Sequence, residues 1–91
     1  MKNPNEKMLQ AVLNCDTEAA NKIKKLPNFD INHQDDKGNS FLHYAYIDFS
    51  IMGHAKMVQW LRENGADDQL KNNKGHKPRL LCEIFNNFNL A

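Results

Sequence analysis

The chain has 91 residues, of which 41% are hydrophobic and 25% charged, and its formal net charge is +1. That size holds one domain with a thin core, and the composition is too apolar for a disordered tail. The near-neutral balance offers no concentrated basic face of the kind that nucleic acid or an anionic membrane attracts, so neither is expected as a partner.

Met8, Leu9, Ala11, Val12 and Leu13 give a first helix an apolar face, which Asn14-Cys15-Asp16 interrupts. Asp16 is a suitable N-cap for a second helix. There Ala19, Ala20, Ile23 and Leu26 form a stripe, and Pro27 is expected to end it. A polar loop at 29–39 follows, with Asp36-Lys37-Gly38 as a tight hairpin tip. Ser40 caps a helix running through Leu42, Ala45 and Tyr46.

Tyr46, Ile47, Phe49, Ile51 and Met52 are too many apolar groups for one helix face to bury, so some are expected at the surface. Met57, Val58, Trp60 and Leu61 mark a fourth helix, and Gly65 after Asn64 suits the left-handed position beyond its end. A second polar loop at 66–76 carries the tip Asn73-Lys74-Gly75. The apolar groups Phe85, Phe88 and Leu90 fall in a closing helix.

Two motifs recur at one offset. Residues 36–45 are echoed at 73–82, and residues 29–35 at 66–72, both 37 positions apart. A constant offset over separate motifs describes a repeated supersecondary unit of a helix pair, a turn and an extended loop.

The residues that carry this unit resemble the ankyrin repeat. Asp35 and Gly38 fit its turn, and Ser40, Leu42, His43 and Ala45 its first helix. Gly53-His54 fit the corner between helices, Val58 and Leu61 the second helix, and Gly65-Ala66-Asp67 the exit. The family repeat has about 33 residues, and the 37 here imply an insertion near 46–52. The outer copies match less: Cys15 stands where glycine is usual, and Arg79-Leu80-Leu81-Cys82-Glu83 departs from the family's helix start.

The resemblance implies an all-α fold, an ankyrin-like α-solenoid of antiparallel helix pairs joined by short β-hairpin loops. Residues 1–91 would form one domain, with a first repeat at about 5–34, a second at about 35–71 and a closing segment at about 72–91. It also implies a structural role for His43, bonding a hydroxyl or loop backbone at the helix start.

His33, His43, His54 and His76 match no zinc spacing, so no metal is expected. Cys82 with a histidine could form a nucleophile and base, but a packed thiol is the better reading. With no catalytic signature and no phosphate-cradling loop, neither an enzyme nor a cofactor is expected. Trp60 is expected to pack between repeats rather than to anchor a partner.

The first loop offers Gln34, Asp36, Lys37 and Asn39, and the second Lys71, Asn73, Lys74 and His76. Together with Tyr44, Ile47, Phe49 and Ile51 they define one partner-binding face, mixed in charge on the first loop and basic on the second. The expected function is non-enzymatic binding of another protein, as an inhibitor or immunity-type partner or an effector. The alternative is a homo-oligomer joined through the apolar C-terminal segment.

The start Met1-Lys2-Asn3-Pro4 leads into no apolar signal core, and no apolar run reaches the ~20 residues of a membrane span. Cys15 and Cys82 form neither a CxxC pair nor a disulfide framework. A cytoplasmic protein with both thiols reduced is expected, or one acting in a host cell if it is a secreted effector.

Overall fold

A computed structural model describes residues 3–47 and 52–83, with the side chains at 52 and 53 left aside. Four helices lie within them: α1 (Pro4–Leu13), α2 (Thr17–Ile23), α3 (Phe41–Ile47) and α4 (Met52–Glu63). A further helical segment occupies 78–83, and the fold is all-α among the described residues. The expected insertion at 46–52 and the closing apolar groups Phe85, Phe88 and Leu90 lie largely or wholly outside them.

α1 starts earlier than its apolar face suggests. Asn3 is the N-cap, its side-chain oxygen accepting the Glu6 N–H at 2.9 Å, and Pro4 takes the first turn, where a missing N–H costs nothing. After the corner at 14–16, Asp16 caps α2 by accepting from Ala19 N–H at 3.0 Å. Cys15 holds the left-handed conformation in that corner (φ 55°), where a residue with a Cβ is strained.

α2 ends at Ile23, four residues before Pro27. The chain tightens there into i→i+3 bonds, with Lys25 N–H on the Lys22 carbonyl and Leu26 N–H on that of Ile23. A proline ring clashes with the carbonyl four residues back, so its effect reaches Ile23.

Helices of seven residues such as α2 and α3 are too short to persist alone. They are held by packing of α1 on α2, α3 on α4, and α1 against α3 and α4. Met8, Val12, Ala20, Leu42, Ala45, Met57 and Leu61 are all but inaccessible to solvent, and burying each large apolar side chain stabilises by about 1.5–3 kcal/mol. Leu13 and Leu26, read as parts of the apolar stripes, are 44% and 39% exposed instead. Both lie where their helices have ended or are ending. Gly53 and His54, placed by resemblance in an inter-helix corner, fall inside the first turn of α4.

The two pairs are also pinned on α2 and α4. Trp60 Nε1 donates to Asn21 Oδ1 at 2.8 Å, and Lys24 Nζ donates to Asn64 Oδ1 at 3.0 Å, its ammonium lying 6.0 Å from the Trp60 ring. Half-buried Trp60 thus packs between the pairs.

The loops take the same shape twice. Asp35 Oδ1 accepts from Lys37 and Asn39 N–H at 3.0 and 2.9 Å, and 37 residues on Asn72 Oδ1 accepts from Lys74 and His76 N–H at 3.0 Å each. Asp30 with Asn32 N–H and Asp67 with Gln69 N–H repeat at that same offset. These tips are side-chain-closed turns and not hairpin ladders: the first has the single bridge Gln34 to Ser40. A short acceptor side chain two residues before each tip competes with strand pairing.

Gly38 and Gly75 occupy equivalent left-handed positions, at φ 77° and 79°. A Cβ on Gly38 would lie 2.6 Å from Asn73 Oδ1 and 2.7 Å from Asn73 N, whereas one on Gly75 meets nothing within 4 Å. Gly75→Ala should therefore cost about 1 kcal/mol, and Gly38→Ala about 1–3 kcal/mol more. Urea unfolding of the two variants measures the difference, and equal costs would mean that the loops do not touch.

Candidate functional site

His43 ties the start of α3 to the second loop. Ser40 precedes α3, and the Ser40 N–H donates to His43 Nδ1 at 3.0 Å while the Ser40 hydroxyl lies 2.8 Å from the same nitrogen. The His43 N–H returns a longer bond of 3.4 Å to Ser40 Oγ. This is a reciprocal cap of the capping-box kind, with imidazole in place of the usual carboxylate or amide. Because Nδ1 accepts from a backbone N–H, the neutral ring carries its proton on Nε2, which donates to the His76 carbonyl of the second loop at 2.9 Å.

Side chains then join loop to loop. Gln34 Nε2 donates to the Lys71 carbonyl at 3.0 Å, Asn73 N–H to the Lys37 carbonyl at 3.0 Å, and Asn73 Nδ2 to the Asp36 carbonyl at 2.7 Å. Asn72 Nδ2 donates to Asn39 Oδ1 at 3.0 Å. At the base, Asn32 Oδ1 accepts from the Asp67 N–H at 2.7 Å. The loops therefore form one rigid unit.

Between them lies a groove of about 560 Å³. The first loop contributes Asp36, Lys37 and Asn39 and the second Asn72, Asn73, Lys74 and His76, with Ile47 from α3 and Leu81 from the last helical segment. That volume lies in the range of ligand-holding clefts. Seven of the residues read from the sequence as a partner face come together here: Asp36, Lys37, Asn39, Ile47, Asn73, Lys74 and His76.

The remaining residues of that face are placed differently. Gln34 and Lys71 lie on the two loops beside the groove, joined through the Lys71 carbonyl. The Tyr44 hydroxyl donates to Asp35 Oδ2, and Tyr44 lines a smaller hollow of about 100 Å³ with Leu9 and Phe41. Phe49 and Ile51 lie outside the described residues. Gln34, Asn39 and Asn73 were read as partner contacts, and their side-chain amides are engaged within the chain.

Three groups have displaced titrations. Burial holds the His43 imidazole below its ordinary value of 6.5, outweighing the His76 carbonyl, which favours the charged ring. For Asp35, burial pushes the carboxyl up. Hydrogen bonds from the Tyr44 hydroxyl and from the Asn39 and Lys37 amides prevail and hold it below its ordinary value. Burial, followed by the bond to Asp35, raises the Tyr44 phenol.

The histidines have separate surroundings. His33 is exposed beside the Phe41 ring at 6.2 Å, and buried His54 places Nδ1 3.0 Å from Cys15 Sγ. Among the described residues no three of His, Cys, Asp or Glu converge as metal ligands. This thiol–imidazole contact belongs to Cys15, while Cys82 is half-buried against the core. It joins residues 39 apart in sequence, and no local spacing signals it. Neither Cys15 nor His54 lines the groove between the loops.

No protein-family model matches the chain, and no curated protein matches its sequence significantly. No helix among the described residues is long and apolar enough to cross a membrane.

The His43 shift has a definite sign. With the folded value below 6.5, the unfolded chain binds more protons in the interval between the two values. The stabilisation is complete above 6.5 and is lost as pH falls from there towards the folded value. The His43 ring should titrate below 6.5 in an NMR pH series, and the urea midpoint should fall as pH drops from about 7 to about 5, less steeply in His43→Gln. A His43 midpoint at or above 6.5 would contradict the buried neutral ring.

Proposed function

We propose that the chain is a short ankyrin-type stack of antiparallel helix pairs that binds another protein through its loop-bearing face, without chemistry of its own, and acts in the cytoplasm. The observation that supports this reading most is the open groove between two cross-linked loops, which gathers exposed cations and apolar lining on a prearranged surface. The 37-residue recurrence of the loop hydrogen bonds supports the repeat reading. A rigid surface of this kind loses little conformational freedom on association, which favours affinity.

The test is affinity capture on the immobilised full chain with substitutions on two faces. Ile47→Ala combined with Lys71→Ala and Lys74→Ala should reduce capture of a specific partner about tenfold or more, as expected when residues of an interface centre are truncated. Lys56→Ala and Gln59→Ala, on the exposed side of α4, should leave it unchanged. Equal capture by all variants would remove the loop face as the binding surface.

A further inference from the structure

The cations of the chain are unevenly distributed. Between residues 69 and 79 lie Lys71, Lys74, Lys77 and Arg79 and no carboxylate, although the whole chain has a net charge of only +1. All four are exposed. Among the described residues none of them is in an ion pair, the Lys77 ammonium bonding instead to the neutral Gln69 side chain at 2.7 Å. By contrast Arg62, outside this loop, lies 3.7 Å from Asp68.

The groove takes one cation from each wall. Lys37 and Lys74 occupy equivalent loop-tip positions, and the apolar lining comes from Ile47 and Leu81. The loop amides that could have read a partner's backbone are used within the chain. Asn39, Asn72 and Asn73 each spend an amide group inside the chain, and the Lys37 and Lys74 side chains stand in the groove beside its apolar lining.

We propose that this groove receives an extended acidic segment of a partner protein, with carboxylates on both sides of an apolar side chain. The apolar side chain meets Ile47 and Leu81, and the carboxylates meet Lys37 and Lys74, with Lys71, Lys77 and Arg79 drawing the segment in at longer range. A nucleic acid fits less well. Asp36 also lines the groove, where a phosphate backbone with a charge on every nucleotide meets its carboxylate more closely than a segment whose carboxylates are spaced apart, and His76 is the one ring among the described lining residues, with no Phe, Tyr or Trp beside it. The proposal rests on the protein-binding reading and adds the chemistry of the partner.

The test is a selection of random peptides displayed on phage against the immobilised full chain. Bound peptides should be enriched in Asp and Glu flanking one apolar residue. A selected peptide, labelled for fluorescence anisotropy, should bind about tenfold more weakly to the Lys37→Glu/Lys74→Glu variant, and more weakly as salt rises from about 0.05 M to about 0.3 M. An unchanged urea midpoint would show that the variant remains folded.

Enrichment of neutral or basic peptides, or indifference to the charge reversal, would overturn the acidic-segment proposal and leave the protein-binding reading standing. A selection yielding no peptides would overturn it too, and the capture experiment then decides separately whether a protein binds at all. A fluorescent oligothymidylate that binds more tightly than any selected peptide at about 0.15 M salt would replace the acidic segment with nucleic acid.

Discussion

A single imidazole joins the helical and the loop parts of this molecule. His43 closes the start of α3 by accepting from Ser40 N–H, and through its other nitrogen it donates to the carbonyl of His76, 33 residues away. Both bonds are buried or partly so, and in such a setting an unmade bond costs about 1–3 kcal/mol for each group left without a partner. The neutral ring with its proton on Nε2 satisfies both partners at once. Protonating Nδ1 would face one donor with another, so burial and hydrogen bonding select the same form. The bond to His76 adds α3 to the contacts that place the second loop, beside those it makes to the first loop.

How far the fold was legible in the sequence depended on the range of the interaction. Local signals were clear: Asp16 and Ser40 precede helices, Gly65 has the left-handed conformation expected of it (φ 95°), and the 37-residue recurrence reappears in the hydrogen bonds of both loops. The start of α1 lies ahead of its apolar face, although its signal is equally local. Asn3 followed by Pro4, with Glu6 three residues after the cap, describes a helix entry that apolar periodicity cannot register. α2 ends ahead of Pro27 because the proline ring constrains the carbonyl four residues back, an effect that the position of the proline alone does not mark.

Long-range pairings were less accessible. That His43 would bond loop backbone followed from its place after Ser40 and from the resemblance; that the acceptor would be His76 needed the two loops side by side. Cys15 was noticeable as a residue in a glycine-like position, yet nothing in its neighbourhood predicted His54 at 3.0 Å. The candidate site was half legible for the same reason. Lys37 and Lys74 recur at the repeat offset and share the groove, while Gln34, Asn39 and Asn73, polar loop residues that look available for a partner, bond across to the neighbouring loop or within their own. Sequence identifies a polar side chain, but whether its bonding capacity is already filled depends on the neighbouring loop.

That distribution of bonds has a consequence for recognition. An amide that closes one loop onto its neighbour fixes the spacing of the walls, and the ordering entropy is then lost during folding and not again on association. The groups that hold the site in shape are therefore distinct from the groups left to make contacts. Lysine is suited to the second role. Its ammonium is strongly hydrated and its stem flexible, so Lys37 and Lys74 can remain solvated at the loop tips without straining the fold. Each gains most when a carboxylate meets it beside apolar surface, where water is partly excluded and a charge-assisted bond is stronger than in bulk solvent. Ile47 and Leu81 supply apolar surface in the same groove.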